Sequence, residues 1–331
     1  MVADARAAPG PLDPHIRQVD PWRDGRAVAD LLEAAFRDEA MSDDGIRLIH
    51  ALRNYSLLDA LMLGGSTGFV WIEEGQLIAN ASVQRNYTRR DTWIIGNVAT
   101  RPAYRNRGIG RAVVEACIHY AASRGARYIA LQAEVGNRPA LHLYDKLGFR
   151  RLGEVTHYLR PVGTTAPLGD EPMRRTRKAR WSDRAAIWAL AQRHVPEPFT
   201  FAEPFDPNIY RLGPRWSLFN SLNGNIEQWR VIDASRRGEL LGAVRTRVNF
   251  EGSYHHLEVL PAPNATVEDT VCLIESGLRR LQDYVTKPIY AAHSRLDETP
   301  HAALQAAGFQ PTRTLVHMRL DLDDYLDECE D

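Results

Sequence analysis

A strand-like run that passes through a proline and enters a helical pattern across two glycines constrains this sequence most. The run spans residues 98–111 and reads Val-Ala-Thr-Arg-Pro-Ala-Tyr-Arg-Asn-Arg-Gly-Ile-Gly-Arg. Because they lack side chains, Gly108 and Gly110 leave backbone N–H groups uncovered where the first turn of a helix presents its own unpaired donors. This arrangement predicts an anion site, and a phosphate is the expected occupant.

The composition is that of an ordinary soluble protein and gives no reason to expect a polyanionic partner. The chain has 331 residues, enough for two domains, of which 44% are hydrophobic and 25% charged. A formal net charge of -1 disfavours binding to nucleic acid or to an anionic membrane. The 3 cysteines are far apart and show no metal-ligand spacing, so we expect no metal and a reducing, cytoplasmic location.

The first half of the chain predicts the order strand, helices, antiparallel strands, and then strand–helix–strand–helix–strand. Residues 92–100 have the pattern of a buried central strand, and Asp24 is the predicted N-cap of a helix over 22–36. The fold class is therefore α/β, of the α+β type, with a mixed, mostly antiparallel sheet flanked by helices. The Ala- and Pro-rich residues 1–14 are expected to form a disordered tail.

The second half of the sequence repeats the first at a nearly constant offset, which predicts a duplicated fold. An offset of 159 or 160 brings five features into register: Trp22 with Trp181, Asp24 with Asp183, Pro102 with Pro261, Gly148-Phe149 with Gly308-Phe309, and His157 with His317. We therefore expect two tandem domains, a catalytic one over 15–160 and a second over 173–331. The Gly-, Thr- and Pro-containing residues 161–172 would form the linker.

The second copy lacks the residues on which the predicted anion site depends. Gly108 corresponds to Val267, and Gly110 corresponds to Asp269, whose carboxylate would repel a phosphate. Two further positions also differ: Arg105 corresponds to Asn264, and Tyr144 to Leu304. We therefore expect the second domain to be degenerate, keeping the fold and lacking the site.

These patterns resemble the GNAT superfamily of acyl-CoA-dependent N-acetyltransferases, over roughly residues 16–159. The family's Arg/Gln-x-x-Gly-x-Gly/Ala pattern is met by Arg105-Asn106-Arg107-Gly108-Ile109-Gly110. Upstream, residues 98–102 resemble the strand that pairs with pantetheine, although Thr100 stands where valine is commoner. Downstream, Glu134, Asn137, Ala140, Tyr144 and Gly148-Phe149 resemble the second half of the cofactor site.

The resemblance implies that acetyl-CoA is a co-substrate bound largely by backbone groups. The turn and the start of the helix would hold the pyrophosphate, and the strand before them would pair with the pantetheine arm. Asn137 would contact the pantetheine or thioester side. The residues expected at the cofactor are Val98, Ala99, Thr100, Arg105, Asn106, Arg107, Gly108, Ile109, Gly110, Arg111, Asn137 and Ala140.

Acyl transfer to an amine requires a neutral nitrogen and a stabilised leaving thiolate. Tyr144 is the candidate acid for the thiolate, since a phenol with an ordinary pKa of about 10 is protonated at neutral pH. Glu134, at the end of a strand, is the candidate base, and a solvated strand-end charge is the alternative interpretation. No cysteine lies in the pattern, so the predicted mechanism is direct attack of the amine on acetyl-CoA.

The sequence leaves the acceptor and one rival function open. A small-molecule or peptide amine is the expected partner, with no nucleic acid and no membrane, and the oligomeric state stays undetermined. Acceptor recognition is expected in residues 37–68 and 86–91. The alternative function is a non-catalytic acyl-CoA-binding regulator. A Rossmann dehydrogenase is disfavoured because the glycine turn follows antiparallel strands, and a P-loop is absent.

Overall fold

The computed structural model describes residues 13–36, 66–164, 171–205, 207–210, 212, 225–234, 238–250 and 252–325. The predicted tail over 1–14 lies almost entirely outside the described residues, as does most of the predicted acceptor segment over 37–68. The chain divides into two compact units. The N-terminal unit comprises residues 1–152, 200–204 and 317–331, and the C-terminal unit comprises 153–199 and 205–316.

The described part of the first half of the chain contains six strands and three helices. The strands are β1 (Ile16–Gln18), β2 (Ser66–Glu73), β3 (Gln76–Arg85), β4 (Thr92–Thr100), β5 (Tyr128–Glu134) and β6 (Arg150–Arg160). The helices are α1 (Pro21–Ala35), α2 (Ile109–Ser123) and α3 (Arg138–Lys146), and a short 3-10 turn covers Pro102–Tyr104.

The second half repeats this order after a short helix, α4 (Glu171–Arg175), which occupies the end of the predicted linker. Its strands are β7 (Arg177–Lys178), β8 (Asn225–Asp233), β9 (Leu240–Asn249), β10 (His255–Pro261), β11 (Ile289–Ser294) and β12 (Gln310–Asp321). Its helices are α5 (Arg184–His194), α6 (Val267–Leu281) and α7 (Glu298–Ala306).

The strand order in the two units is equivalent, β1-β2-β3-β4-β5 in one and β7-β8-β9-β10-β11 in the other. The pairs are antiparallel except β4 with β5 and β10 with β11, which are parallel. The predicted fold class, a mixed and mostly antiparallel sheet flanked by helices, is thereby confirmed.

The final strand beside each of these sheets comes from the other half of the sequence. In the C-terminal unit, β6 pairs antiparallel with β11, with Val155 opposite Ser294 and Arg160 opposite Ile289. In the N-terminal unit, the end of β12 lies beside β5, where Leu322 N donates to Arg127 O at 3.0 Å. The unit boundary therefore falls at residue 152, inside β6, and differs from the predicted boundary at 160.

An ion pair between the first strand and the first helix recurs in both units. Arg17 donates two hydrogen bonds to Asp24, at 2.6 and 2.7 Å, and Arg177 donates two to Asp183, at 2.7 and 3.0 Å. The prediction that Asp24 is the N-cap of α1 is wrong. Asp20 is the N-cap, since its carboxylate accepts from the N–H groups of Trp22 and Arg23. Asp24 lies one turn later, and its carboxylate accepts the two hydrogen bonds from Arg17.

Candidate functional site

The central feature of the N-terminal unit is a gap that opens between the parallel strands β4 and β5. Their register joins Thr92 to Tyr128 and ends where Ile94 lies opposite Ala130. Both strands are described in full, and beyond this point they continue to Thr100 and Glu134 without pairing. The second half of β4 therefore has backbone groups that no neighbouring strand uses on the β5 side, as β-strand addition requires.

A β-bulge in β4 accompanies this divergence. Asn80 lies opposite Ala99 but Ser82 lies opposite Gly96, so Ala81 faces two residues, of which Asn97 has a φ of 54°. An extra residue in one strand bends it and reverses the alternation of its side chains. In β4 the side chains of even-numbered and odd-numbered residues accordingly exchange faces of the sheet across the bulge.

Aromatic and aliphatic contacts show which residues change faces. Before the bulge, the Trp93 ring packs edge-on against Tyr120 of α2, with centroids 5.8 Å apart. After the bulge, Ala99 packs with the core of α1, whereas Thr100 Oγ1 lies close to the start of α2. Thr100 and Trp93 therefore lie on the same face of the sheet, the one that α2 covers. In a regular strand, residues seven positions apart would lie on opposite faces.

The turn before α2 uses two residues in the left-handed region. Asn106 has a φ of 62° and Gly108, the N-cap of α2, has a φ of 80°. The first bond of the helix runs from Ala112 N to Gly108 O at 3.0 Å, so the N–H groups of residues 108–111 precede the first intrahelical acceptor. No side chain caps the helix. This N-terminus therefore has the geometry of an anion site.

The space beside the turn depends on both glycines. A Cβ at Gly108 would meet nothing within 4 Å, so the left-handed conformation, and not crowding, is what requires glycine there. A Cβ at Gly110 would lie 3.4 Å from Thr100 Oγ1, which places the first turn of α2 against the end of β4. The strand and the turn, which are adjacent in the predicted site, are thus brought together.

The arginine side chains of the turn differ in their partners. Arg107 donates to both carboxylate oxygens of Glu73 at 3.0 Å, and this hydrogen bond lowers the pKa of Glu73. Arg111 Nε donates to Glu115 at 2.8 Å. Arg105 contacts only the carbonyl of Thr100, through Nε at 3.3 Å, within the described ranges. Its exposed guanidinium therefore keeps donors that could reach an anion.

The structure gives Asn137 a local role in addition to the predicted one. Asn137 is the N-cap of α3, and its side-chain oxygen accepts from Ala140 N at 3.2 Å. Its own N–H donates to the carbonyl of Glu134 at 2.9 Å, which ties the helix to the end of β5. The contact of Asn137 and Ala140 with the cofactor stays a prediction.

Tyr144 lies in a buried position on α3, near Cys117 of α2. It is 5% exposed, and its ring packs against Phe149 with centroids 5.7 Å apart. Burial, with a smaller contribution from Cys117, raises the pKa of Tyr144 to about 12. Its hydroxyl has no hydrogen-bond partner among the described residues, and Cys117 Sγ in turn contacts the carbonyl of Ala81, opposite the bulge.

Glu134 lies on the opposite face of β5 from Tyr144. Ile129, Leu131 and Ala133 are buried on the α2 side, whereas Ala130 and Tyr128 contact Phe201 on the other side. By the alternation of a strand, Gln132 and Glu134 share the face of Ala130. Glu134 is half-buried, and its carboxylate has no partner in the part of the chain that the structure describes.

The corresponding place in the C-terminal unit differs in two respects. β10 also leaves β11 early, after His256 lies opposite Tyr290, but its register with β9 runs to Pro261 without a bulge. The start of α6 is closed by its own side chains, since Thr266 and Asp269 form a capping box and Arg175 donates to Asp269 at 2.5 Å. The capped helix start follows from Asp269, which stands where the first copy has Gly110. The strand β10 lacks the bulge because the polar residues that form it in β4 are replaced.

Sequence reasoning missed three features of the site. The hydrogen bonds that hold the bulge, the buried Cys117 beside Tyr144, and the pairing of Gln132 with His317 all depend on tertiary contacts. Only the bulge had a signal, because a Gly-Asn pair within an apolar strand suits a left-handed residue. Among the described residues, no group of three or more His, Cys, Asp or Glu is placed to hold a metal ion, and no helix is long and apolar enough to cross a membrane.

Comparison with known proteins identifies the family of this region. Residues 26–149 match the model of the acetyltransferase (GNAT) family. An uncharacterised N-acetyltransferase of Methanocaldococcus jannaschii is 36% identical over 77 residues, 23% of this chain and 34% of that protein. A mycothiol acetyltransferase of Corynebacterium glutamicum is 33% identical over 82 residues, 25% of this chain and 24% of that protein. The chain thus matches these relatives over only a quarter to a third of their length.

Solved structures resemble the chain over nearly its whole length. A GCN5-related N-acetyltransferase from Sphaerobacter thermophilus superposes with a TM-score of 0.62 and 16% identity, covering 94% of this chain and 97% of that one. A tandem GNAT protein from the clavulanic acid biosynthesis pathway gives a TM-score of 0.55 and 13% identity, covering 92% and 98%. At this level of identity the likeness shows the fold alone.

Proposed function

We propose that the N-terminal unit transfers an acetyl group from acetyl-CoA to an amine by direct attack. The observation that carries the proposal is the bulged strand β4, which leaves β5 after Ile94 and ends against a helix N-terminus opened by Gly108. An extended strand edge and an anion site in sequence suit a ligand that has an amide-containing arm and a pyrophosphate. Coenzyme A has both groups in that order.

Backbone groups and side chains would share the binding of acetyl-CoA. In this proposal the N–H groups of residues 107–111 hold the pyrophosphate, and Arg105 adds charge beside it. Backbone groups of Val98 and Thr100 pair with the pantetheine arm. The reacting thioester would then lie in the gap between β4 and β5, and in this proposal Tyr144 and Glu134 act on it from opposite faces.

In the reaction, the amine nitrogen bonds to the thioester carbonyl carbon, the carbon–sulfur bond breaks, and a proton lost from nitrogen ends on sulfur. Glu134 would attract the ammonium form and accept a proton from the nitrogen. Tyr144 would donate a hydrogen bond to the sulfur. Full proton transfer from a phenol of pKa about 12 to a thiolate whose thiol has a pKa of about 8.5 costs about 5 kcal/mol. Hydrogen bonding from Tyr144 is therefore favoured over complete transfer.

We further propose that the C-terminal unit binds no acetyl-CoA. This proposal is supported by the capping box of Thr266 and Asp269, which already uses the donors at the start of α6. It is also supported by Leu304, which stands in the position of Tyr144 and is 1% exposed. The acceptor is proposed to be a small-molecule or peptide amine.

A thiol-release assay with acetyl-CoA over a panel of amines tests the activity. Tyr144→Phe is expected to lower kcat about 100-fold with the Kd for acetyl-CoA within two-fold of the parent value, since the hydroxyl acts on the leaving group. Tyr120→Phe is the matched control. Tyr120 lies on α2 and its ring packs against Trp93 and Phe69, so its variant should keep kcat. Binding of acetyl-CoA without thiol release from any amine would favour the non-catalytic regulator instead.

A further inference from the structure

The side chain of Gln132 is joined to a buried histidine on the face of the sheet that also carries Glu134. Gln132 Nε2 donates to His317 Nε2 at 3.1 Å, and His317 is 0% exposed. His317 belongs to the end of β12, which lies beside β5 in the N-terminal unit. Gln132 itself is exposed. A ring fixed in the core thus sets the orientation of an amide at the surface.

The repeat shows that this amide is specific to the N-terminal unit. His157 is the residue that corresponds to His317, and in the C-terminal unit its Nδ1 shares a hydrogen bond with the hydroxyl of Tyr290 on β11 at 2.6 Å. Each histidine therefore bonds a side chain on the strand that diverges from its parallel neighbour. At the offset of 160, Gln132 corresponds to Ala292, and the histidine of the C-terminal unit bonds a tyrosine two residues earlier on the strand.

Gln132 and Glu134 are the residues of β5 that follow the end of its pairing with β4 and point away from α2. Two residues along a strand are separated by about 7 Å. Because Nε2 of Gln132 donates to His317, its Oε1 is left to accept a hydrogen bond, and the Gln132 side chain has no other hydrogen bond within the described part of the chain. The Glu134 carboxylate is also an acceptor. The two together suit a molecule with two donor groups about 7 Å apart.

We propose that Gln132, oriented by His317, binds a hydroxyl group of the acceptor amine and so selects amino alcohols and amino sugars over apolar amines. This inference rests on the proposed function, because it assigns Glu134 to the reacting nitrogen. His317 is then a positioning residue, which acts through Gln132. The last strand of the chain thereby contributes to acceptor choice in the N-terminal unit.

The test compares two amines that differ only in a distal hydroxyl, trans-4-aminocyclohexanol and cyclohexylamine, in the thiol-release assay. One net hydrogen bond predicts that kcat/KM favours aminocyclohexanol by about five-fold in the parent protein. Gln132→Leu is expected to bring this ratio to about one, mainly by raising KM for aminocyclohexanol. His317→Asn should shift the ratio in the same direction. Because both substrates are measured on one preparation, a fraction of unfolded protein does not change the ratio.

Gln84→Leu is the matched control. Gln84 is an exposed glutamine near the end of β3, opposite Ile94, and its variant should keep the five-fold preference. A preference that persists in Gln132→Leu, or equal kcat/KM for both amines in the parent protein, would overturn the inference alone. Absence of thiol release with every amine would overturn the proposed function together with it.

Discussion

The side-chain amide of Asn80 donates to the backbone carbonyl of Asn97 at 2.9 Å, and this bond holds the bulge of β4 in place. Asn97 in turn donates to Ser82 Oγ at 2.9 Å, and Ser82 Oγ donates to the carbonyl of Gly96 at 2.9 Å. These hydrogen bonds use the carbonyls of Gly96 and Asn97 at the bulge. The shape of the strand edge offered to acetyl-CoA therefore depends on a polar side chain of β3.

Replacing Asn80 with alanine should weaken both stability and cofactor binding. Asn80 is 3% exposed, and its loss leaves the partly buried Asn97 carbonyl without this donor, at a cost of about 1–3 kcal/mol in the free energy of unfolding. Because the bulge relaxes, we expect the Kd for acetyl-CoA to rise at least three-fold, measured by calorimetry.

Asn86→Ala provides the control for this prediction. Asn86 is also fully buried, but its amide bonds the carbonyls of Thr200 and Phe201, and within the described residues it has no hydrogen bond to the bulge. Its variant should lose similar stability and keep the parent Kd. Equal changes of Kd in the two variants would mean that the bulge has no specific part in binding.

Phe201 is expected to be essential to the stability of the N-terminal unit, although it lies far away in the sequence. Its ring is 4% exposed and sits between the guanidinium groups of Arg89 and Arg319, 3.8 and 4.7 Å away, and edge-on to Tyr128. Phe201→Ala should lower the free energy of unfolding by about 3–5 kcal/mol, measured by urea denaturation. Phe250→Ala, at a residue 48% exposed, should cost less than about 0.5 kcal/mol. Similar costs for the two would contradict the packing described.

The C-terminal unit should lose stability in mild acid because of a buried histidine. The rings of His194 and His293 are 4.8 Å apart, and Nε2 of His293 is buried without a hydrogen bond. Burial, and then the neighbouring His194, lower the pKa of His293 to about 3 from an ordinary 6.5. The unfolded chain therefore binds the proton first as the pH falls. The free energy of unfolding is therefore not reduced by His293 well above pH 6.5. It falls as the pH drops below 6.5, and at pH 5 it is about 2 kcal/mol lower.

His293→Leu tests this prediction through the pH dependence of unfolding. Its loss spares the carbonyl of Ser294, because that carbonyl also accepts from His301 at 3.0 Å. The variant is expected to show a fall in unfolding free energy between pH 7 and pH 5 that is about 2 kcal/mol smaller than in the parent protein. An unchanged slope in urea titrations at these pH values would rule out His293 as the source.

The sequence predicted the elements around the site well, because local chemistry determines them. The strand over 92–100 has the observed limits, and the left-handed Gly108 opens the helix that the pattern required. The exchange of final strands could not be predicted. β6 and β12 have equivalent patterns, including His157 and His317, so periodicity does not tell which of them pairs with β5. Phe201 was missed for a related reason, since its partners Tyr128, Arg89 and Arg319 lie about 70 to 120 residues away in the sequence.

The central claim is that the chain has one acetyl-CoA site, at the turn of Gly108 and Gly110. Calorimetric titration of the full chain with acetyl-CoA tests it most directly. We expect one site per chain, lost in Gly110→Asp, which copies the residue of the second repeat and sets a carboxylate against the pyrophosphate. Glu268→Gln at the start of α6 should leave the stoichiometry at one. Two sites per chain, or binding that survives in Gly110→Asp, would contradict the account.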